Sequence, residues 1–285
     1  MKNSNELCQP LCLPYDCREI DSRTTLFPQE VQSHYFAEIV LVREGRIRAF
    51  LDGEERTAAP GEVLFICPGV AHQVEAADGE AVRLCLLRLD PNRLPEGPVY
   101  APSLRTLLIR ACRDGMPMVV PAADAEKMNL PEMCTQCARE SMRCEFGYDL
   151  NVKARLTMIW VAVIRYWTDR GFETGRQELQ PDPIYSLSGY IQNHLRDGLR
   201  VEGLAEYCGL SYPWFAKRFR EIYGVSCKDF IEQIRVGQVE QFLVFTDLDL
   251  NRISEETGYA DCSHMIKNFK RVMNITPGQY RLKRR

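Results

Sequence analysis

The sequence predicts a two-domain α+β chain: an N-terminal antiparallel β-barrel with appended helices over residues 1–170, a linker over 171–184, and an all-helical domain over 185–285. Three observations carry this reading. Short β-rich segments separated by Gly- and Pro-containing turns fill residues 35–89. A helical unit is written twice near the C-terminus, offset by 49 residues before its turn and by 50 after it. Between the two regions, Gly171 to Pro183 is polar and carries Pro181 and Pro183, a linker composition. A chain of 285 residues has room for two separate cores.

Residues 1–30, broken by Pro10, Pro14 and Pro28, read as an irregular arm. Met1 to Pro10 lacks the basic and apolar regions of a signal peptide, and no apolar run reaches the roughly 18 residues of a membrane span. The expectation is a cytoplasmic protein without a membrane partner. Strands are expected at Phe36–Val42, Arg46–Leu51, Val63–Ile66 and Val82–Leu89, with turns at Asp52-Gly53, Pro60-Gly61 and Pro68-Gly69. His34 and Glu38 share strand parity, so both point to one side and can meet His72 across the mouth of a barrel. Three readings fit this trio: a small-molecule pocket without metal, which is the expectation, polar residues packed in the barrel, or a metal site.

Residues 90–130 hold six prolines and one helical stretch near Leu104 to Arg113. Met133 to Trp167 has helical periodicity in two pieces split near Gly147. The apolar stripe of the second piece, Leu156, Ile159, Trp160, Val163, Ile164 and Trp167, predicts pairing of two chains, with burial against the barrel as the alternative.

In the C-terminal repeat, Leu204-Ala205, Gly209-Leu210-Ser211, Phe215, Phe219 and Gly224 are followed by Ile253-Ser254, Gly258-Tyr259, Asp261, Met265, Phe269 and Asn274. Gly209 and Gly258 sit where a helix ends in a left-handed residue, and Ser211 and Asp261 where an oxygen can cap the next helix. Phe215, Phe219 and Ile222 form one apolar stripe, repeated by Met265, Phe269 and Val272. The opposite faces carry Tyr212, Pro213, Ala216, Lys217 and Arg220 in one copy, and Cys262, Ser263, Lys267, Lys270 and Arg271 in the other. Lys217 and Lys267 are equivalent. A short helix, a Gly turn and a second helix with a polar, basic outer face is the helix-turn-helix arrangement, whose second helix enters the DNA major groove. The helix expected between the copies, Lys228 to Phe245, spans about 27 Å, approaching the roughly 34 Å repeat of B-DNA.

From about Ser186 to Arg285 these ordered motifs, together with Arg235, Phe269-Lys270, Thr276-Pro277 and Tyr280-Arg281, resemble the DNA-binding domain of the AraC family of bacterial transcription regulators. Departures are Val239 and Ser254 where the family has Ala, Met265 where it has an aromatic, and Asn274 where it has Gly. His34-x3-Glu38-x6-Gly45, with Gly61 through Pro68-Gly69 to His72, resembles the motifs of a cupin barrel, with Gln32 where metal-binding cupins carry another His. The resemblance implies a ligand-responsive transcription regulator that is not an enzyme and needs no cofactor. Its implied partners are double-stranded DNA, a small effector such as a sugar or other metabolite, a second copy of the chain, and RNA polymerase. The competing class is a metal-dependent cupin enzyme with an accessory DNA-binding domain.

Charge agrees in sign. From Tyr185 onward, 15 Lys and Arg stand against 12 Asp and Glu, a net of +3, and the remainder has 21 against 27, a net of −6. Of twelve cysteines, Cys8-x3-Cys12 and Cys134-x2-Cys137 have the spacing of half a zinc site, with Cys17 and Cys144 nearby. A whole domain separates the two pairs, so incidental thiols are expected, with metal or redox sensing as the alternative.

Overall fold

The computed structural model describes residues 12–25, 30–94, 102–175 and 183–284. The chain divides into two compact units, with the boundary at Gln180/Pro181.

In the N-terminal unit, β1 (Tyr15–Asp21), β2 (Ala37–Glu44), β5 (Val63–Ile66), β7 (Arg83–Leu89) and β8 (Val119–Val120) form one antiparallel sheet in the order β1-β7-β2-β5-β8. A second sheet has β4 (Glu54–Ala58), β3 (Ile47–Leu51) and β6 (His72–Ala76) in the order β4-β3-β6. The expected barrel is therefore, among the described residues, an open pair of antiparallel sheets. The chain crosses from one sheet to the other at Gly45-Arg46, just after a register shift between Val42 and Glu44, and such irregularities turn corners between sheets.

All four expected strands are present, and four more accompany them among the described residues. β1 lies inside the segment read as an arm and pairs along its whole length with β7, Cys17 opposite Leu87. β4 is almost fully exposed, and Glu54, Glu55 and Arg56 place charge on a sheet edge, which discourages edge-to-edge pairing. β2 is buried at every position from Ala37 to Val42, as befits a central strand covered on both faces.

The helices expected here are α1 (Leu104–Arg113), α3 (Leu130–Arg143) and α4 (Tyr148–Thr168), with a short α2 (Ala122–Lys127) between α1 and α3. Leu156, Ile159, Trp160, Val163 and Trp167 of α4 are all buried within the chain, and Phe65 of β5 lies 5.3 Å from the Trp160 ring. This corrects the expectation that the stripe pairs two chains: the monomer's own sheet fills it. The end of the unit is also tied down, since Phe172 is buried and Arg110 donates to the carbonyls of Glu173 and Gly175. Residues 176–182 of the expected linker lie outside the described residues.

The C-terminal unit is all-helical: α5 (Leu187–Asn193), α6 (Val201–Tyr207), α7 (Tyr212–Tyr223), α8 (Cys227–Phe245), α9 (Leu250–Glu256), α10 (Cys262–Met273) and α11 (Pro277–Arg284). α8 runs between the two copies. Phe230 on its first half packs on Phe219 and Tyr223 of α7, while Val236, Val239 and Leu243 join Ile253, Met265, Phe269 and Tyr280 in one core.

Candidate functional site

The two copies agree bond for bond at the turn. Gly209 N–H donates to Glu206 O and Leu210 N–H to Ala205 O, while Gly258 N–H donates to Glu255 O and Tyr259 N–H to Ser254 O. Both glycines are left-handed, with φ of +67° and +73°. The second helices also end alike. Gly224 and Asn274 are both left-handed, and their N–H groups donate to the carbonyls of Arg220 and Lys270. Asn replaces Gly there because its short polar side chain tolerates this conformation.

Their starts differ. Asp261 accepts from His264 N at 2.7 Å, but the Ser211 side chain makes no capping bond, contrary to expectation. In its place α7 has Pro213 in its first turn, where a missing N–H costs no helical bond. Two caps were not read from sequence: Ser226 on α8 and Asp249 on α9.

On α7, Phe215 and Phe219 face the core as expected, but Tyr223 takes the third inward position and Ile222 is half-buried. The Tyr223 hydroxyl lies 3.0 Å from Ile184 O and 3.1 Å from Tyr185 O, and accepts from Ser188 N–H, so it fastens α7 to the start of the unit. On α10, Met265 and Phe269 are buried and Val272 is half-buried. Asn268 adds a buried polar contact, with Nδ2 donating to Glu232 Oε2 at 2.7 Å and to His264 Nε2 at 2.8 Å. Glu232 is itself paired with Arg235 at 3.0 Å.

Outward, Tyr212, Pro213, Lys217 and Arg220 are exposed on α7 and Ala216 is half-buried. On α10, Ser263, Lys267, Lys270 and Arg271 are exposed and Cys262 is half-buried; Arg271 lies 3.6 Å from Asp229. Every residue expected on these faces is thus outside the core. Sequence reasoning missed Trp214, which is 54% exposed with Lys217 Nζ 5.8 Å from its ring, and His264, its counterpart in the other copy. Their equivalence at an offset of 50 was the signal that could have found them.

The second candidate site lies between the sheets. His34, just before β2, Glu38 on β2 and His72 at the start of β6 come together as expected, at only 7%, 7% and 4% exposure. His34 Nδ1 donates to Phe36 O and His72 Nδ1 to Val70 O, which turns both Nε2 atoms toward Glu38. Glu38 Oε1 is 3.1 Å from His34 Nε2, without the alignment of a hydrogen bond, and Oε2 is 3.7 Å from His72 Nε2. Burial by itself pushes the Glu38 carboxyl up, but His34, His72 and Arg88 together outweigh it and hold the group at about 2. His72 is held below its ordinary value by burial, partly offset by Glu38. The donor atoms of the three lie within 4.8 Å of one another, so this trio could hold a divalent ion, each His fixed through its other nitrogen as metal ligands commonly are. Gln32, which stands where metal-binding cupins carry a further His, pairs through its backbone with His72.

Beside the trio is a cavity of about 340 Å³. Its walls include Leu51, Ile66 and Val70. Ile66 is the register partner of Glu38 and Leu51 that of His72, so the trio lies on the cavity's side of both sheets. The trio itself does not line this cavity.

No disulfide joins any two of the eleven described cysteines, and Cys8 lies outside the described residues. Cys134 and Cys137 are buried on α3, which packs on β1 and β7, where Cys17 and Cys85 reside. Burial pushes the thiols of Cys17, Cys85 and Cys134 up, the condition of inert structural cysteines.

Two helix-turn-helix copies joined by one long helix, following a unit of paired antiparallel sheets, define the class of two-domain proteins with a duplicated helix-turn-helix. Residues 15–114 match the AraC-like ligand binding domain and residues 204–283 the helix-turn-helix domain of that class. The chain belongs to the AraC family. It is similar to a Staphylococcus aureus protein described as an uncharacterized HTH-type transcriptional regulator, with 27% identity over 116 residues, 41% of this chain. It is also similar to the xylose operon regulatory protein of Escherichia coli, with 28% identity over 108 residues, 38% of this chain. The matched part spans only 16% of the staphylococcal relative and 28% of the xylose regulator. Among solved structures, ToxT of Vibrio cholerae with bound unsaturated fatty acid is similar over 94% of both chains, at 13% identity and a TM-score of 0.42. The C-terminal domain of AraT from Geobacillus stearothermophilus is similar over 38% of this chain and 89% of its own, at 28% identity and a TM-score of 0.35.

Proposed function

We propose that this chain is a ligand-responsive, sequence-specific DNA-binding regulator of transcription, acting in the cytoplasm and performing no chemistry on its effector. The observation that carries this reading is the pair of outward faces, with Lys217 and Lys267 at the same place behind turns with the same hydrogen bonds. Each face enters a major-groove segment, where lysine donates to guanine O6 and N7. Pro213, Ala216, Trp214, Cys262, Ser263 and His264 line the approach, and Arg220, Lys270 and Arg271 meet phosphates. The 19 residues of α8 give about 28 Å between the heads, close to one turn of B-DNA.

The effector occupies the cavity of about 340 Å³, a volume suited to a small metabolite, with His34, Glu38 and His72 as the polar group beside it. A homodimer presents four heads to paired half-sites, with RNA polymerase as the downstream partner. Since the inward stripe of α4 is filled, the pairing face is its outward one, where Leu150, Met158 and Val161 are exposed.

The test is selection of duplexes that bind the full chain, followed by titration of Lys217→Ala and Lys267→Ala against variants of the selected site. The expected loss is about 1–3 kcal/mol at particular base pairs. Uniform weakening with a shallower salt slope assigns the lysines to phosphates and overturns base reading. Failure to enrich any duplex overturns the function.

A further inference from the structure

The two outward faces differ at one equivalent place. Trp214 and His264 each lie in the first turn of their helix, three residues before the outward lysine. Four residues further on, α7 has Arg218, whose guanidinium bonds Glu221 and the Tyr185 hydroxyl, while α10 has Asn268, whose amide reaches His264. Asn268 is buried and His264 is exposed, so this bond runs from the interior to the outer surface.

Asn268 Nδ2 lies 2.7 Å from Glu232 Oε2 and 2.8 Å from His264 Nε2. The Glu232 carboxylate, paired with Arg235, can only accept, so the end of the amide that faces it is the NH₂. One amide hydrogen goes to Glu232 and the other to His264. His264 Nε2 is therefore the acceptor, and in the neutral ring the proton sits on Nδ1. The residue is fixed on other sides too. Its N–H donates to Asp261 Oδ1 at 2.7 Å, and the Tyr259 ring stands edge-on to the imidazole with centroids 5.5 Å apart.

We propose that His264 is a base-reading residue of the second head, a donor of fixed tautomer that offers Nδ1–H to guanine, with Asn268 as the residue that positions it. This rests on the DNA-binding reading above. His264 is three residues from Lys267, so the two are neighbours on the helix surface, and the N-terminal residues of a recognition helix are those that meet base edges. A single N–H donor needs an acceptor. Guanine presents N7 and O6 in the major groove with no donor beside them, whereas adenine sets an amino group next to N7, cytosine presents an amino group, and thymine has a methyl group beside O4. Asn268 stays in the interior and acts only through His264. The first head, with Trp214 and Arg218 at these places, reads its base pairs differently.

The experiment uses the full chain and the duplexes it selects. His264→Ala is titrated against single base-pair variants of the selected site, beside Lys267→Ala. The expected loss is about fivefold, the effect of one hydrogen bond, and it is confined to one G·C pair. Changing that pair to A·T should weaken the unsubstituted chain by the same factor and leave His264→Ala unaffected. Inosine, which keeps N7 and O6, should bind as guanine does. Long-range ¹H–¹⁵N NMR of the histidine-labelled chain, with the His264 ring assigned by its disappearance in His264→Ala, should show the proton on Nδ1, and Asn268→Ala should yield a mixture of tautomers. A proton on Nε2, a loss spread evenly over the site, or no loss at all overturns the proposal. If Lys267→Ala loses discrimination and His264→Ala does not, only the role of His264 falls; failure to enrich any duplex fells both readings. His264 is exposed, so its replacement leaves the core intact, and the tautomer of the unsubstituted chain decides the matter even where Asn268→Ala folds poorly.

Discussion

The two turn glycines give a matched pair of perturbations with unequal consequences. Both are left-handed, so replacing either with Ala incurs the steric penalty of an L-residue in that region, about 1–2 kcal/mol, reduced somewhat by the lower entropy of the unfolded chain. At Gly209 nothing lies within 4 Å of the added Cβ, and this penalty is the whole effect. At Gly258 the new Cβ would stand 2.1 Å from Leu195 O and 2.8 Å from Leu195 C. The backbone must retreat, yet Leu195 is buried, and neighbouring Arg196 donates to Glu256 O at 2.8 Å and pairs with the Glu256 carboxylate. Gly258→Ala should therefore cost about 3–5 kcal/mol, in the range of mutations that force a packed backbone to move. Both full-length variants would be followed by native-state hydrogen exchange, with α7 and α10 as local reporters. The expected result is a small loss of protection in α7 for Gly209→Ala and a much larger loss in α10 for Gly258→Ala, with correspondingly weaker DNA binding. Equal losses would refute the close-approach argument and leave backbone conformation alone to account for both sites.

Glu38→Gln should destabilise the N-terminal unit at pH 7 and progressively less as the pH falls. The folded carboxyl is depressed from its ordinary 4.5 to about 2, so its contribution, on the order of 3 kcal/mol, is full above about pH 4.5 and fades toward pH 2. Urea unfolding of both chains across that window checks the sign, and a difference independent of pH would remove His34, His72 and Arg88 as its cause. Asn268→Ala takes away a donor to buried Glu232, at a cost of about 1–3 kcal/mol, and should loosen α10 on α8. Calorimetry of the full chain together with DNA titration tests this, and unchanged stability with weakened DNA binding would make Asn268 a contact residue instead.

The C-terminal unit was legible because its signals are local. Gly209, Gly258, Asp261 and Asn274 each act on the backbone within a few residues, and the repetition tied them into a fold. Asp52-Gly53 announced its hairpin for the same reason. What escaped notice depended on distant partners. β4, with Glu54, Glu55 and Arg56, has no apolar alternation to mark it as a strand and is held in place by pairing with β3. β1 sits between prolines and carries four charged residues, and its order comes from β7. The α4 stripe showed that a partner was needed without saying that Phe65 of the same chain supplies it. For the second site, sequence parity put His34 and Glu38 on one side, where they can meet His72, but it could not show that the three would be buried beside a cavity.

The duplicated heads also separate what repetition conserves from what it leaves free. Turn, C-terminal cap and outward lysine are the same in both, whereas the anchors differ: a tyrosine hydroxyl on backbone carbonyls for α7, an amide on a buried carboxylate for α10. Both anchors hold a helix whose outer face must keep its orientation, and neither reaches that face. The two heads are brought to a common frame by α8, whose first half packs through Phe230 on α7 and whose second half packs through Val236, Val239 and Leu243 on α9 and α10. Glu232, lying between those contacts, joins α8 to α10 through Asn268. A helix packed at both ends in this way fixes the distance between the heads by its length and their relative rotation by its residue count. Inserting one residue into α8 would rotate one outer face by about 100° relative to the other, whereas replacing a side chain on its solvent face leaves both distance and rotation unchanged.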